Sequence, residues 1–184
     1  MINELKKDIG KFASPKKAKA YRRFFKTGKG EYGEGDIFLG LTVPQSRKIA
    51  VKYKDLPFSE IRILLKSKIH EERLIALLIL VHRFEKGKDA DKDKVYNYYL
   101  KNTKYINNWD LVDLSAAKIA GQYLMDKSKN ILFKLARSEN IWEKRISIVA
   151  TYAFIKDGRC LETLKIAEML SILEVKSNSD KRNS

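Results

Sequence analysis

Apolar residues recur at helical spacing through nearly the whole chain, and the long helices they predict open on related heads. His70-Glu71-Glu72-Arg73 begins one, Trp109-Asp110-Leu111-Val112 a second and Trp142-Glu143-Lys144-Arg145 a third, with Glu and Arg at the same offsets in the first and last. The heads lie 39 and 33 residues apart, and a shorter helix precedes each. A single helix pair cannot bury its apolar face, so pairs at such a period stack on their neighbours and curve. The pattern predicts an all-α fold, a curved α-solenoid of HEAT-like repeats with a concave groove.

The helices are expected over residues 3–12, 15–26, 42–53, 57–67, 70–84, 91–101, 108–124, 129–136, 141–155 and 161–173. Ser14-Pro15 and Thr42-Val43-Pro44 supply caps followed by proline in the first turn. Ile37-Phe38-Leu39 is the one short piece that reads as a strand. Between residues 26 and 36 lies the one long loop, where Gly28, Gly30 and Gly33 spell G-x-G-x-x-G. A nucleotide site of that form needs a strand before it, and here a helix precedes. Glu31, Glu34 and Asp36 would also repel phosphates, so a glycine loop or small hairpin reaching out from one end of the array fits better. Residues 1–175 are expected to form one domain, and 176–184 (KSNSDKRNS) a disordered polar tail.

Charge narrows the partners. Lys and Arg total 38 against 23 acids, a net charge of +15. That balance suits phosphate backbones or anionic surfaces, although most of the cations are lysine, the less specific of the two. The first residues carry charges throughout, unlike a signal peptide. The longest apolar run, Leu74 to Val81, is far shorter than the roughly 20 residues a bilayer requires. A cytoplasmic, non-membrane protein is expected. The single cysteine, Cys160, forbids an internal disulfide, and with only His70 and His82 it is a poor basis for a metal site or a thiol nucleophile.

The sharpest local feature is Asn107-Asn108-Trp109-Asp110-Leu111-Val112-Asp113. Trp109 and Asp113 are four residues apart and share a helix face. A carboxylate beside an indole is a device for stabilising a cation. The residues alone also allow a plainer reading, in which Trp109 is core, Asn107 or Asn108 caps the helix and Asp113 pairs with an arginine of the next repeat. Arg145 is the obvious partner. It too has two readings, an inter-repeat ion pair, since Arg73 holds the equivalent position, or a fork onto a phosphate.

Three blocks resemble one known family. FFKTGKGEYGEGDIFLGLTVPQSRKIA (Phe24 to Ala50), YINNWDLVDLSAAKIAG (Tyr105 to Gly121) and ENIWEKRISIVATYAFIKDG (Glu139 to Gly158) are similar to the AlkD-type DNA alkylation repair glycosylases, in the same order and over about residues 15 to 170. The WDLVD segment is the most specific. The family fold is a curved array of HEAT-like repeats, in agreement with the periodicity.

The resemblance implies hydrolysis of the N-glycosidic bond of alkylated purines, typically 3-methyladenine and 7-methylguanine, in double-stranded DNA. It implies Asp113 as the catalytic carboxylate, Trp109 as the indole packed on the lesion nucleotide and Arg145 as a contact to the backbone near the lesion. Phe24 stands where some members carry tyrosine, so a hydroxyl role there is absent. Phe24, Lys144, Arg47 and Lys48, within the matching blocks, are the further candidate DNA contacts. An alkylated purine is cationic and leaves as a neutral base, so charge develops on the sugar, where a carboxylate and an indole face stabilise it. Most glycosylases rotate the base into a pocket. This family is described as acting without base extrusion, and an open groove with no such pocket is expected. No metal or organic cofactor is implied, and a monomer is expected. Family members usually continue for another helix pair carrying a further Trp and Arg of the groove. Here residues 161–173 are followed by the polar stretch, so an array short of its terminal cap is expected. Two other functions stay open: a DNA-binding relative without catalysis, and a helical scaffold for another protein.

Overall fold

The computed structural model describes residues 1–180, and the side chains of residues 1–173. Along them run α1 (Ile2–Lys11), α2 (Pro15–Phe24), α3 (Val43–Lys52), α4 (Phe58–Leu65), α5 (His70–Lys86), α6 (Asp89–Lys101), α7 (Trp109–Asp113), α8 (Asn130–Ala136), α9 (Ile141–Ala150), α10 (Tyr152–Lys156) and α11 (Leu161–Asp180). The α-solenoid expected from the head spacing is the architecture found. Helices α3, α5, α7 and α9 pack in that order, while α4 and α6 back α5 and α8 backs α9. One core runs from Leu5 on α1 to Ile166 on α11. Every residue from His70 to Val81 is buried, which makes α5 its axis. A smaller cluster of Ala18, Phe25 and Phe38, with Tyr21 and Trp109 against it, sits where α2 meets the head of α7.

Most helix ends fall within two residues of the expected positions, and three differ for physical reasons. The helix expected unbroken over 108–124 stops at Asp113, and a π-helical turn follows at Ala117–Gly121. Ser115 is the cause on one side: its hydroxyl donates to the Leu111 carbonyl at 2.6 Å and also meets the Tyr99 hydroxyl at 3.1 Å. On the other side α9 crosses so close that a Cβ at Gly121 would run into the Ala150 carbonyl. The helix expected over 141–155 breaks between α9 and α10, where the Thr151 hydroxyl takes the Ile148 carbonyl at 2.6 Å. At the other end, α11 continues past residue 173 to Asp180, through part of the expected tail. The rest of that tail, residues 181–184, lies outside the described residues.

The predicted strand at 37–39 reduces to one parallel bridge, Ile37 to Ile69. Beyond it the chain wraps round a side chain. The amides of Leu39, Gly40 and Leu41 all point at the buried Glu71 carboxylate, at 2.7 to 3.3 Å. Gly40 adopts φ +88°, and a Cβ there would strike the backbone of Ser14 and Ala18, so only glycine fits. The 26–36 loop is a chain of turns rather than a hairpin. Two of its acids are spent internally, Glu31 on the Gly28 amide at 2.6 Å and Glu34 on the Gly30 amide at 2.8 Å. Helix α2 precedes it, so the strand-turn-helix setting of a dinucleotide site is missing. Among the described residues no helix is long and apolar enough to cross a membrane.

Candidate active site

Asn108 caps α7, its Oδ1 accepting from the Trp109 amide at 2.8 Å. This aims Trp109 off the helix start towards α2. Phe25 stacks on the indole, with centroids 5.3 Å apart and planes 15° from parallel. Phe24 meets it edge-on at 5.9 Å and is 64% exposed. Together with Tyr21, Phe38 and Leu74 these rings line a cleft of about 540 Å³, and Asp113 stands among its lining residues. The bulky pair Phe24-Phe25 at the end of α2 walls the groove beside Trp109 and leaves an apolar recess there.

Asp113 follows Trp109 by one turn on the same face. Its carboxylate is held by Arg145 from α9, with Nε donating to Oδ1 at 2.9 Å and Nη2 to Oδ2 at 2.8 Å. Both side chains remain about two-fifths exposed. The inter-repeat ion pair, one of the two readings of Arg145 at the sequence level, is present.

Beneath the cleft lies a buried polar cluster that the residue types did not announce. Asp110 accepts the Leu111 amide on Oδ1 and faces His70 Nε2 with Oδ2 at 2.8 Å. His70 Nδ1 faces Asp36 at 3.3 Å, and Arg73 donates to the same Asp36 oxygen at 2.7 Å. The His70 ring is stacked on Phe38 at 4.5 Å and tilted on Phe25 at 5.0 Å. Burial disfavours its charge, but hydrogen bonds to Asp110 and Asp36 outweigh burial and hold the imidazole above its ordinary pKa. Burial likewise opposes ionisation of Asp36, and His70 and Arg73 overcome it, keeping that carboxyl below its usual range. His70 was legible only as a lone histidine. The signal that marks it is its place at a repeat head, equivalent to Trp109 and Trp142.

The other candidates scatter around this centre. Arg47 lines a shallow recess with Leu78, Val81 and Glu85, one helical turn along α3 from Val43 at the cleft. It thus shares the groove face. Lys48 is exposed on α3 and Lys144 is half-buried on α9, and neither lines the cleft. The glycine loop contributes Tyr32, which meets Trp142 edge-on at 6.0 Å and so spans from α2 to the third repeat head. Among the described residues no three His, Cys, Asp or Glu side chains cluster as metal ligands would.

Among curated proteins none matches the chain. The family model of the DNA alkylation repair enzymes matches residues 5–174, nearly the whole length. That match carries an enzymatic role in DNA repair and DNA as the substrate. With the helical array and the Trp109–Asp113 cleft in place, the conclusion is plain: the chain belongs to the DNA alkylation repair enzyme family.

Proposed function

We propose that this protein is a DNA glycosylase that hydrolyses the N-glycosidic bond of cationic alkylated purines, such as 3-methyladenine and 7-methylguanine, in duplex DNA, as the first step of base excision repair. The observation that carries the reading is the carboxylate of Asp113 at an apolar, π-lined cleft, one turn from the Trp109 indole. As the bond from the sugar to the purine nitrogen lengthens, its electron pair goes to the base and cancels the base's charge. Positive charge appears on the sugar. Asp113 lies where it can face that charge, and the low local dielectric of the cleft strengthens the attraction. Water then adds to the anomeric carbon, oriented by the same carboxylate, which accepts its proton. The leaving group is already cationic, so the step asks for no metal or organic cofactor.

Arg145 has to serve both partners. An ion pair this exposed is worth about 0–1 kcal/mol, so moving the guanidinium from Asp113 to a DNA phosphate costs little. Phosphate contact would free the carboxylate as the lesion arrives. Arg47, Lys48 and Lys144 contribute contacts to the backbone, and Phe24, largely exposed beside the indole, packs on the nucleotide. On this reading residues 1–175 act as one domain, as a monomer, in the cytoplasm.

One observation favours a second reading. Both Asp113 oxygens are already engaged by Arg145, as in a purely structural pair, and a DNA-binding relative without catalysis would look the same. Incubating the purified chain with methylated duplex and measuring free 3-methyladenine and 7-methylguanine separates the two. Base release supports the glycosylase, and DNA binding without it supports the relative.

A further inference from the structure

We propose that His70 is a positioning residue of this site: as an imidazolium it ties the head of α7 to the loop before α3, through Asp110 and Asp36, and so fixes Trp109 and, one turn on, Asp113. The proposal rests on the reading of Trp109 and Asp113 as the working residues, and adds a largely buried residue at the base of the same cleft that nothing in the family match assigns.

The geometry is that of a clamp. Both ring nitrogens face carboxylates on different elements, Nε2 on Asp110 at 2.8 Å and Nδ1 on Asp36 at 3.3 Å. Only the protonated ring can donate to both; a neutral imidazole has a single N–H and would keep Asp110 while its bare Nδ1 faced the Arg73 Nη2 at 3.4 Å. The ring is 2% exposed, so water does not substitute for a lost partner. Its faces carry the aromatic wall: Phe38 on one contact, Phe25 on another, and Phe25 in turn stacks on Trp109. A displacement of His70 therefore reaches the indole by two routes, through Asp110, the residue next to Trp109, and through Phe25.

Charge counting gives the same answer. The charged groups that face the ring are Asp110 from α7, Asp36 from the loop and Arg73 from α5, and Glu71 and Asp113 line the same cleft. Glu71 is satisfied by the amides of 39–41, and Asp113 by Arg145. That leaves Asp36 and Asp110 against Arg73 and His70, which balance when the imidazole is charged. A neutral ring leaves one buried negative charge uncompensated, a costly arrangement. The raised pKa of His70 agrees. The sign follows from linkage: the clamp is complete below the unfolded histidine value of about 6.5 and is lost as pH rises through the higher folded value.

The test reads the ring and the indole without DNA. Ring-nitrogen NMR on the whole chain, with His82→Gln to assign the two histidines, should show His70 protonated on both nitrogens with a midpoint above the ordinary histidine value of about 6.5. In a Trp142→Phe background, where Trp109 is the sole tryptophan, its fluorescence should change with the His70 midpoint. His70→Gln should abolish that transition while circular dichroism stays helical. If His70→Gln does not fold, Asp36→Asn leaves the ring in place and should lower the His70 midpoint. Base release, where present, should fall along the same midpoint through kcat rather than KM. A His70 midpoint at or below the ordinary histidine value of about 6.5, or a Trp109 signal indifferent to its titration, overturns the clamp. Intact titration and coupling without base release upholds the clamp and overturns the glycosylase reading alone.

Discussion

Arg145 forks onto Asp113 across adjacent repeats, Nε to Oδ1 at 2.9 Å and Nη2 to Oδ2 at 2.8 Å, while Arg73, at the same repeat position, forks into the interior instead. Arg73 is 4% exposed and spans Asp36 and the Ser67 carbonyl, whereas Arg145 is 40% exposed on Asp113. One helix-head arginine is thus a buried brace and the other a partly exposed pair. Removing the partner of a buried ion costs about 3–5 kcal/mol, against about 0–1 kcal/mol for an exposed pair.

That contrast predicts opposite phenotypes. Arg73→Ala should lower the thermal midpoint by many degrees. Arg145→Ala should lower it by no more than about 2–4 °C, the shift expected of about 1 kcal/mol in a chain of this size. The same Arg145→Ala should weaken duplex binding and reduce the slope of log affinity against log salt by about one. Thermal melts and salt titrations on both variants check it. A large stability loss in Arg145→Ala with unchanged affinity would reduce Arg145 to an inter-repeat pair.

Binding of the unaltered protein to undamaged duplex should itself be steep in salt. With a net charge of +15 and Arg47 on the groove face, affinity comes mainly from counterion release. Dissociation constants on the order of micromolar or weaker are expected at physiological salt. Fluorescence anisotropy from low to high salt gives the slope. A salt-independent affinity would favour the protein-scaffold function over DNA binding.

Much of this molecule is legible in its amino-acid sequence. Helical periodicity placed nearly every helix, because each repeat must bury an apolar stripe. The spacing of the heads gave the stacking. Trp109 and Asp113 stood out because a carboxylate and an indole at i and i+4 break an apolar run. The interruptions at Ser115 and Thr151 were not readable, since a hydroxyl bends a helix only when its rotamer turns back onto a carbonyl. Nor was the Asp36–His70–Asp110 cluster, whose members are 34 and 40 residues apart and meet only through the tertiary stack. The cleft escaped for a similar reason: Phe24-Phe25 reads as ordinary helix end until the loop folds Phe38 beneath it. Glu71 looked like a helix-head acid, and its three-amide cradle depends on the positive φ of Gly40.

Glu71→Gln tests that cradle. The charged acceptor gathers the amides of Leu39, Gly40 and Leu41 in a buried site. Hydrogen bonds to a charged group contribute about 1.5–3 kcal/mol, and the amide side chain keeps one acceptor while bringing an N–H towards backbone donors. A loss of about 2 kcal/mol is expected, with faster hydrogen exchange confined to the 36–42 segment. Because this segment carries Phe38, the floor of the cleft, base release should fall as well. Exchange spread evenly over the whole chain would show that Glu71 supports the fold at large and not this loop.

Asp113→Asn isolates the charge at the cleft. The substitution keeps the size of the side chain and one of the two acceptors for Arg145, and the carboxylate it removes is already 36% exposed, so the fold should stay within about 1 kcal/mol of the original. Duplex affinity should hold or rise slightly, since Arg145 no longer has a competing anion and can turn to phosphate. The reaction should suffer. A fixed charge facing a developing oxocarbenium ion is worth on the order of a hundredfold in rate, about 3 kcal/mol, once bound DNA shields the carboxylate from water. Single-turnover release of 7-methylguanine from a methylated duplex reads this directly, with anisotropy on the same variant as the binding control. Unchanged release would make Asp113 a structural partner of Arg145 and move the chemistry elsewhere. Lost release with intact binding would assign the carboxylate to the sugar and not to the DNA grip.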